Sequence, residues 1–175
     1  MNTNILTLMP VIVTLVAGAD GSTSKGGNSS GITTPVDRTE FLARRRTADC
    51  IIIGGNTARN EPYQRTPVPV IVLSRSLINP LANNRLAHCW NLSPVKALAR
   101  AAQKFGPTIH IEAGVSIISE LLAAGAIDTL ELSITPITGG EDKIDLEELL
   151  HHFDHMHEEI REGVRFISAR AKPAP

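Results

Sequence analysis

At 175 residues, with 42% hydrophobic but only 3% aromatic content, the chain has the size of one domain whose core is filled by Ile, Val, Leu and Ala. That composition suits strands buried on both faces. A net charge of −1 removes any global electrostatic case for nucleic acid or an anionic membrane as a partner, although a small anion needs only a local patch.

The stretch Ile5 to Ala19 resembles a signal h-region, with Ala17 and Ala19 placed like a cleavage site. No Lys or Arg precedes it, Pro10 interrupts it and it is too short to cross a bilayer, so a buried first strand over Val11 to Ala17 is expected. Gly18 to Gly31, rich in Gly and Ser, reads as an ordered loop. Thr34, Pro35 and Asp37 open a helix that runs toward Arg46. Strand Cys50–Ile53 follows, then a loop from Asn60 to Pro67, a strand Val68–Leu73, a loose segment Leu77 to Arg85 and a short strand Ala87–Trp90. Ser93-Pro94 starts a second long helix that Gly106-Pro107 ends. Strand Thr108–Glu112, helix Val115–Ala124, a stop at Gly125 and strand Ile127–Thr135 continue the alternation. An acidic, histidine-rich helix over Asp145–Ile160 and a last strand Val164–Ala169 close it. Alternating strands and helices predict an α/β fold: a mostly parallel sheet covered on both faces, in a single domain over residues 1–175. Cys50 and Cys89 sit in apolar segments and read as buried thiols of a reducing, cytoplasmic compartment rather than as a disulfide.

Two stretches share one construction. Asp49-Cys50-Ile51-Ile52-Ile53-Gly54-Gly55-Asn56-Thr57 and Thr108-Ile109-His110-Ile111-Glu112-Ala113-Gly114-Val115-Ser116 each run from a β-branched strand through glycine into a helix. Such a turn aims backbone N–H groups and the positive end of a helix dipole at one point, where phosphate can bind. A pair of them suggests a diphosphate cofactor; the alternative is that the glycines only permit tight strand exits.

Four motifs in order then carry a resemblance. They are Ala19-Asp20-Gly21 at the first strand exit, Gly54-Gly55-Asn56-Thr57-Ala58-Arg59 with Glu61-Pro62, Val72-Leu73-Ser74-Arg75, and Glu112-Ala113-Gly114 with Ala124-Gly125-Ala126-Ile127-Asp128 and Pro136. Over residues 11–140 the chain resembles the reductase domain of riboflavin biosynthesis, a dihydrofolate-reductase-like family. The resemblance implies a three-layer sandwich with a mostly parallel mixed sheet and helices on both faces. It also implies NADPH-dependent reduction of 5-amino-6-(5-phosphoribosylamino)uracil at C1′ of the ribosyl group, in a homodimer paired through the sheet. In such chemistry the protein holds two rings in register and excludes water, which accounts for the lack of a nucleophile or triad.

The same resemblance distributes roles. Gly54, Gly55 and Thr57 at one turn and Gly114, Val115, Ser116 and Ile117 at the other hold the cofactor. Ser74 and Arg75 suit its 2′-phosphate, against the reading of a plain solvated strand end. Arg45, within the run Arg44-Arg45-Arg46, meets the substrate, plausibly at its phosphate, and Ser29, Glu61 and Arg65 fall near further substrate contacts. Glu112 ends a buried strand, where an unpaired carboxylate is costly, and is expected to hydrogen-bond substrate rather than form a surface salt bridge. Asp20, the second catalytic candidate, either orients a loop or relays a proton; Asp128 is expected to order a local turn.

The substrate half departs from the family pattern. Gly18 stands where serine is frequent, Thr14 lies where many members carry lysine, and both substrate-side loops are short. No zinc-binding His and Cys set of a deaminase is seen, so deamination is not expected. His151 and His155 have the one-turn spacing of zinc ligands, yet no glutamate lies between them as a general base, so no metal is assigned and a solvated helix face is expected. Two further functions remain open beside the leading one: a reductase of the same fold acting on dihydrofolate, a pterin or another small molecule, and a nucleotide-binding protein without turnover.

Overall fold

The computed structural model describes residues 10–76 and 78–172. The part of the h-region reading before Pro10, and Leu77 of the loose segment, lie outside them. The first strand, β1, spans Val11–Gly18, and helix α1 spans Pro35–Arg45 after a 3₁₀ turn at Ser29–Gly31. Thr34 caps α1 by accepting a hydrogen bond from the Asp37 N–H, with Pro35 at the first position, so this helix starts where its sequence signals put it. Strand β2 (Cys50–Gly54) leads into the six-residue α2 (Gly55–Asn60), and β3 (Val70–Leu73) and β4 (Ala87–Trp90) follow. Helix α3 (Pro94–Phe105) ends at Gly106, whose φ of 132° and contact with the Asp49 carboxylate exclude a side chain there. Strand β5 (Ile109–Ile111), α4 (Val115–Ala123), β6 (Thr129–Thr135), α5 (Leu146–His151), β7 (Phe153–Arg161) and β8 (Val164–Ala171) complete the order.

Eight strands form one sheet in the order β4-β3-β2-β5-β1-β6-β8-β7. The first six in that order are parallel, whereas β8 pairs antiparallel with β6 and β7 antiparallel with β8. Period-2 alternation sends successive residues to opposite faces. On one face Val11, Val13, Cys50, Ile52, Ile109, Ile111, Leu130 and Leu132 pack against Ala97, Leu98, Ala101, Ile118 and Leu121 of α3 and α4, with α5 at the margin. The opposite face carries α1 and α2, giving the three layers and the mixed, mostly parallel sheet expected. Among the described residues no helix is long and apolar enough to cross a membrane.

The tail differs from expectation. In place of one helix over Asp145–Ile160, α5 stops at His151 and Phe153–Arg161 is an edge strand. Its residues are polar because nearly all of them face solvent, and a solvated edge strand has no apolar alternation to betray it. The connection to β8 turns at Glu162 (φ 51°) and Gly163 (φ 79°), a left-handed pair that fits a two-residue hairpin. Tertiary pairing with β8 thus overrides the helical spacing, and His151 and His155 do not share a helix turn. No cluster of three His, Cys, Asp or Glu residues able to hold a metal occurs among the described residues.

The thiols are free: Cys50 is buried and Cys89 half-buried. Burial, with the nearby Asp49 charge, pushes the Cys50 thiol up to about 12. Asp128 does not order a local turn but accepts the Val11 N–H at 2.7 Å, fastening the start of β1 to the chain before β6.

Candidate active site

The parallel strands β1, β2, β3 and β5 end at one edge of the sheet, and ligands of open α/β sheets bind outside such carboxyl ends. There a cleft of about 430 Å³ opens between the sheet, α1 and the serine-rich loop. Both glycine-bearing turns reach it, since β2 and β5 are neighbours. Asn56 and Thr57 line it from one turn, and Gly114, Val115 and Ser116 from the other. The turns touch behind the cleft: a Cβ on Gly54 would lie 3.2 Å from Ile117. A Cβ on Gly55 would lie 3.2 Å from the Ser74 hydroxyl and 3.3 Å from the Arg59 guanidinium. Ser74 follows β3, its Oγ accepting the Ser76 N–H, and Arg75 beside it is exposed. Gly114 has open space where a Cβ would stand. Glycine therefore keeps the approach to both strand exits clear, with the Arg59 guanidinium and the Ser74 hydroxyl close by.

The floor is polar and buried. Arg45, at the end of α1 and 6% exposed, gives three hydrogen bonds to Glu112 at the end of β5: Nε to both carboxylate oxygens at 3.1 and 3.0 Å, and Nη2 to Oε2 at 2.8 Å. Tyr63 donates its hydroxyl to the same Oε2 at 2.6 Å. The Phe41 and Tyr63 rings cover the guanidinium, each with its centroid 4.4 Å from Cζ. A forked pair of this kind offsets the cost of burying both charges. Burial works against the Arg45 charge, but the bonds to Glu112 prevail and push its pKa up. Burial, and then the Glu112 charge, hold the Tyr63 phenol well above its ordinary value.

Glu112 is thus neither unpaired nor on the surface. Of the arginines in the run, Arg45 is the one that reaches the cleft floor. Its neighbour Arg44 reaches Glu131 of β6 at 3.3 Å, so consecutive arginines of one helix serve two strands. Thr14 of β1 lies between those strands, opposite Glu131, buried at 6% exposure with no partner for its hydroxyl.

The serine-rich loop is ordered by its contacts, as its place in the chain suggests. Glu61 accepts the Ser29 N–H at 2.6 Å, bringing two of the expected substrate residues together on the cleft wall. From the other side the segment after β6 grips the loop: Glu141 accepts the Gly26 and Gly27 N–H groups, and Lys25 reaches the Thr138 carbonyl. Asp20 belongs to this clasp and does not line the cleft. Its carboxylate accepts the Ser22 hydroxyl and the Gly139 N–H and pairs with Lys143 at 2.9 Å. Those hydrogen bonds, Ser22 first, hold its pKa well below the usual carboxylate range. Of its two open roles, this surrounding matches orienting a loop. Arg65 is exposed and also stands outside the cleft lining.

Arg38, Phe41 and Tyr63 are among the lining residues that went unassigned from the sequence. Arg38 and Phe41 precede Arg45 by seven and four positions, one stripe of α1, and that spacing was a usable signal. Tyr63 sits in a proline-bounded loop that gave none, except that it is the one tyrosine of the chain.

A family model described as the RibD C-terminal domain matches residues 10–164. Among solved structures the chain is similar to RibD of Acinetobacter baumannii, with 18% identity and a TM-score of 0.72, covering 94% of this chain and 59% of that one. It is similar to a pyrimidine reductase-like protein of Corynebacterium diphtheriae, with 20% identity, a TM-score of 0.73 and coverage of 95% and 93%. It is also similar to dihydrofolate reductase of Enterococcus faecalis complexed with NADP(H), with 16% identity, a TM-score of 0.73 and coverage of 94% and 97%. At such identities the likeness is one of fold. No curated protein matches the chain.

Proposed function

The chain belongs to the RibD C-terminal domain family, and from that premise we propose that it is an NADPH-dependent reductase acting on 5-amino-6-(5-phosphoribosylamino)uracil or a close analogue. One observation carries the reading: residues expected at the cofactor (Thr57, Gly114, Val115, Ser116) and residues expected at the substrate (Ser29, Arg45, Glu61, Glu112) line the same cleft.

The residues present fit the cofactor. Gly114 and the Val115 and Ser116 N–H groups at the start of α4 receive its diphosphate, and Gly54 and Gly55 keep the facing turn low enough for it to pass. Ser74, Arg75 and, beside them, Arg59 take the 2′-phosphate that separates NADPH from NADH. When bound, the cofactor supplies a hydride for C1′. The chain's own part is positioning. Glu112, immobilised by Arg45 and Tyr63, keeps acceptor capacity on Oε1 for an N–H or O–H of the substrate. The loop held by Glu61, Glu141 and Asp20 walls the cleft from water. Asp20 and Arg65 act through that wall and its surroundings rather than on the reacting atoms. We extend the proposal to a cytoplasmic homodimer, supported by the exposed outer edge of β7, with neither metal, nucleic acid nor membrane in its work.

A second reading, reduction of dihydrofolate or another pterin, is favoured by the floor, where Arg45 and Glu112 neutralise one another and leave an uncharged polar surface. NADPH oxidation measured with the phosphoribosylaminouracil and with dihydrofolate separates the two. Tight NADPH binding without turnover on either would favour a non-catalytic nucleotide-binding protein. Replacing Ser74 and Arg75 together with Ala should weaken NADPH by about a hundredfold and NADH by no more than a few-fold. Equal weakening of both, measured by fluorescence titration, sinks the 2′-phosphate assignment.

A further inference from the structure

We propose that the end of the sheet built by β3, β4 and α3 is an electrostatic collecting surface, which draws a polyanionic dinucleotide toward the two glycine-bearing turns before it binds there. The inference rests on the reductase reading for the identity of that dinucleotide, NADPH. A net charge of −1 hides a strong separation of charge along the chain. Between Glu61 and Glu112 there is no Asp or Glu, but there are six cations: Arg65, Arg75, Arg85, Lys96, Arg100 and Lys104. From Glu141 to Glu162, nine Asp or Glu residues stand against two cations, Lys143 and Arg161.

The fold keeps the two groups apart, since β3 and β4 close one end of the sheet and β7 closes the other. Arg75 follows β3 and Arg85 precedes β4. Lys96, Arg100 and Lys104 recur every four residues along α3 and form one stripe, while Ala97, Leu98 and Ala101 of the same helix are buried. All six cations are exposed, and none is in an ion pair among the described residues. Arg100 lies 4.6 Å over the Trp90 ring and Lys104 5.4 Å from the Phe105 centroid, contacts that hold the side chains without cancelling their charge. Their field is felt on β4, where burial and then the Lys104 and Arg100 charges lower the His88 pKa. On the side of the serine-rich loop the cleft is lined instead by Glu61 and Asp142, with Glu141 gripping the same loop. A polyanion is therefore repelled from the loop side and attracted from the β3–β4 side, where Ser74 and Arg75 stand. Charge of one sign beside a site raises the local concentration of the opposite ion and its rate of association.

The test is stopped-flow measurement of NADPH association with the wild-type chain and with the triple variant Lys96→Gln, Arg100→Gln, Lys104→Gln. These residues lie outside the cofactor contacts proposed above, and glutamine is a good helix former at exposed positions, so the variant should fold, as circular dichroism can confirm. At an ionic strength of about 0.01 M, where the Debye length is about 30 Å, the association rate constant should fall roughly three- to tenfold while the dissociation rate constant changes by less than about twofold. At about 1 M salt the difference should vanish. NADH, which lacks the 2′-phosphate, should be slowed less. The exchange variant Lys96→Arg, Arg100→Lys, Lys104→Arg should keep the wild-type rate, because charge and not side-chain identity does the steering. An unchanged association rate at low salt, or a loss that persists at about 1 M, overturns the proposal and leaves the cofactor reading intact. Absence of NADPH binding to the wild type removes the cofactor reading, and this proposal with it.

Discussion

The two faces of the sheet are built from alternate residues of the same strands, yet they differ in kind. The face under α3 and α4 is aliphatic from Leu73 on β3 to Ala169 on β8. The face under α1 is most aliphatic at its β2–β3 end, where Ile51, Ile53, Val70 and Val72 pack with Ala58, Tyr63 and Leu81. Beyond β2 it turns polar, with His110 on β5 and Glu112 just after it, Thr14 on β1, and Glu131, Ser133 and Thr135 on β6. From α1 Asp37, Arg44 and Arg45 come down to meet them. One period-2 pattern thus supplies a packed core and a buried polar layer whose outer end is the cleft floor. Burial of apolar area stabilises the first without directional demands, whereas the second is stable only as far as its groups are matched.

The largest test of that contrast is the ion pair. Arg45→Met should cost about 3–5 kcal/mol in urea unfolding, because Glu112 is left buried and uncompensated. Ile52→Ala on the aliphatic face should cost a similar 2–5 kcal/mol through its cavity. The difference is in rescue: adding Glu112→Leu to Arg45→Met should restore much of the loss, since the stranded charge is gone. A loss below about 1 kcal/mol for Arg45→Met, or no rescue, would mean that the polar layer is not held by matching.

A smaller effect separates the faces by pH. His110 is 1% exposed with neither ring nitrogen partnered, and burial, with the Arg44 charge, lowers its pKa from 6.5 to about 4. The unfolded chain takes up a proton near pH 6.5 and the folded chain only near 4. This contribution to stability is therefore full above about 6.5 and is lost as pH falls toward 4, by on the order of 2–3 kcal/mol. His110→Leu should remove that slope, and the difference between the two unfolding profiles isolates it from other titrating groups. Parallel profiles would show that His110 finds a proton acceptor on folding.

The two faces were unequally legible in the sequence. Glycine and proline punctuation placed nearly every element, because local turn chemistry decides where strands and helices stop, as at Gly106 and at Thr34-Pro35. The aliphatic face was readable from its β-branched runs. The two glycine-bearing turns were legible too, since each is a contiguous segment. The floor was not, because its partners come from positions 45, 63 and 112 and only folding joins them. Arg45 and Glu112 were each singled out, but their pairing was not, and Tyr63 was missed. The edge strand β7 was misread as a helix for a related reason: its conformation is set by β8, not by its own pattern.

The smallest expected effect concerns Thr14, and its sign carries the argument. Its hydroxyl is buried without a partner between the Glu112 and Glu131 strands, so it costs stability that a methyl group of the same shape would not. Thr14→Val should therefore stabilise the protein by up to about 1 kcal/mol, whereas Arg45→Met, which breaks a matched pair, should destabilise it. Thermal unfolding of the variant, read beside NADPH oxidation, tests both halves of the statement. Higher stability with slower turnover would mark Thr14 as a polar group kept at the floor for a ligand. Higher stability with unchanged turnover would limit the working part of the floor to Glu112, Arg45 and Tyr63. Lower stability would mean that the hydroxyl is satisfied on folding.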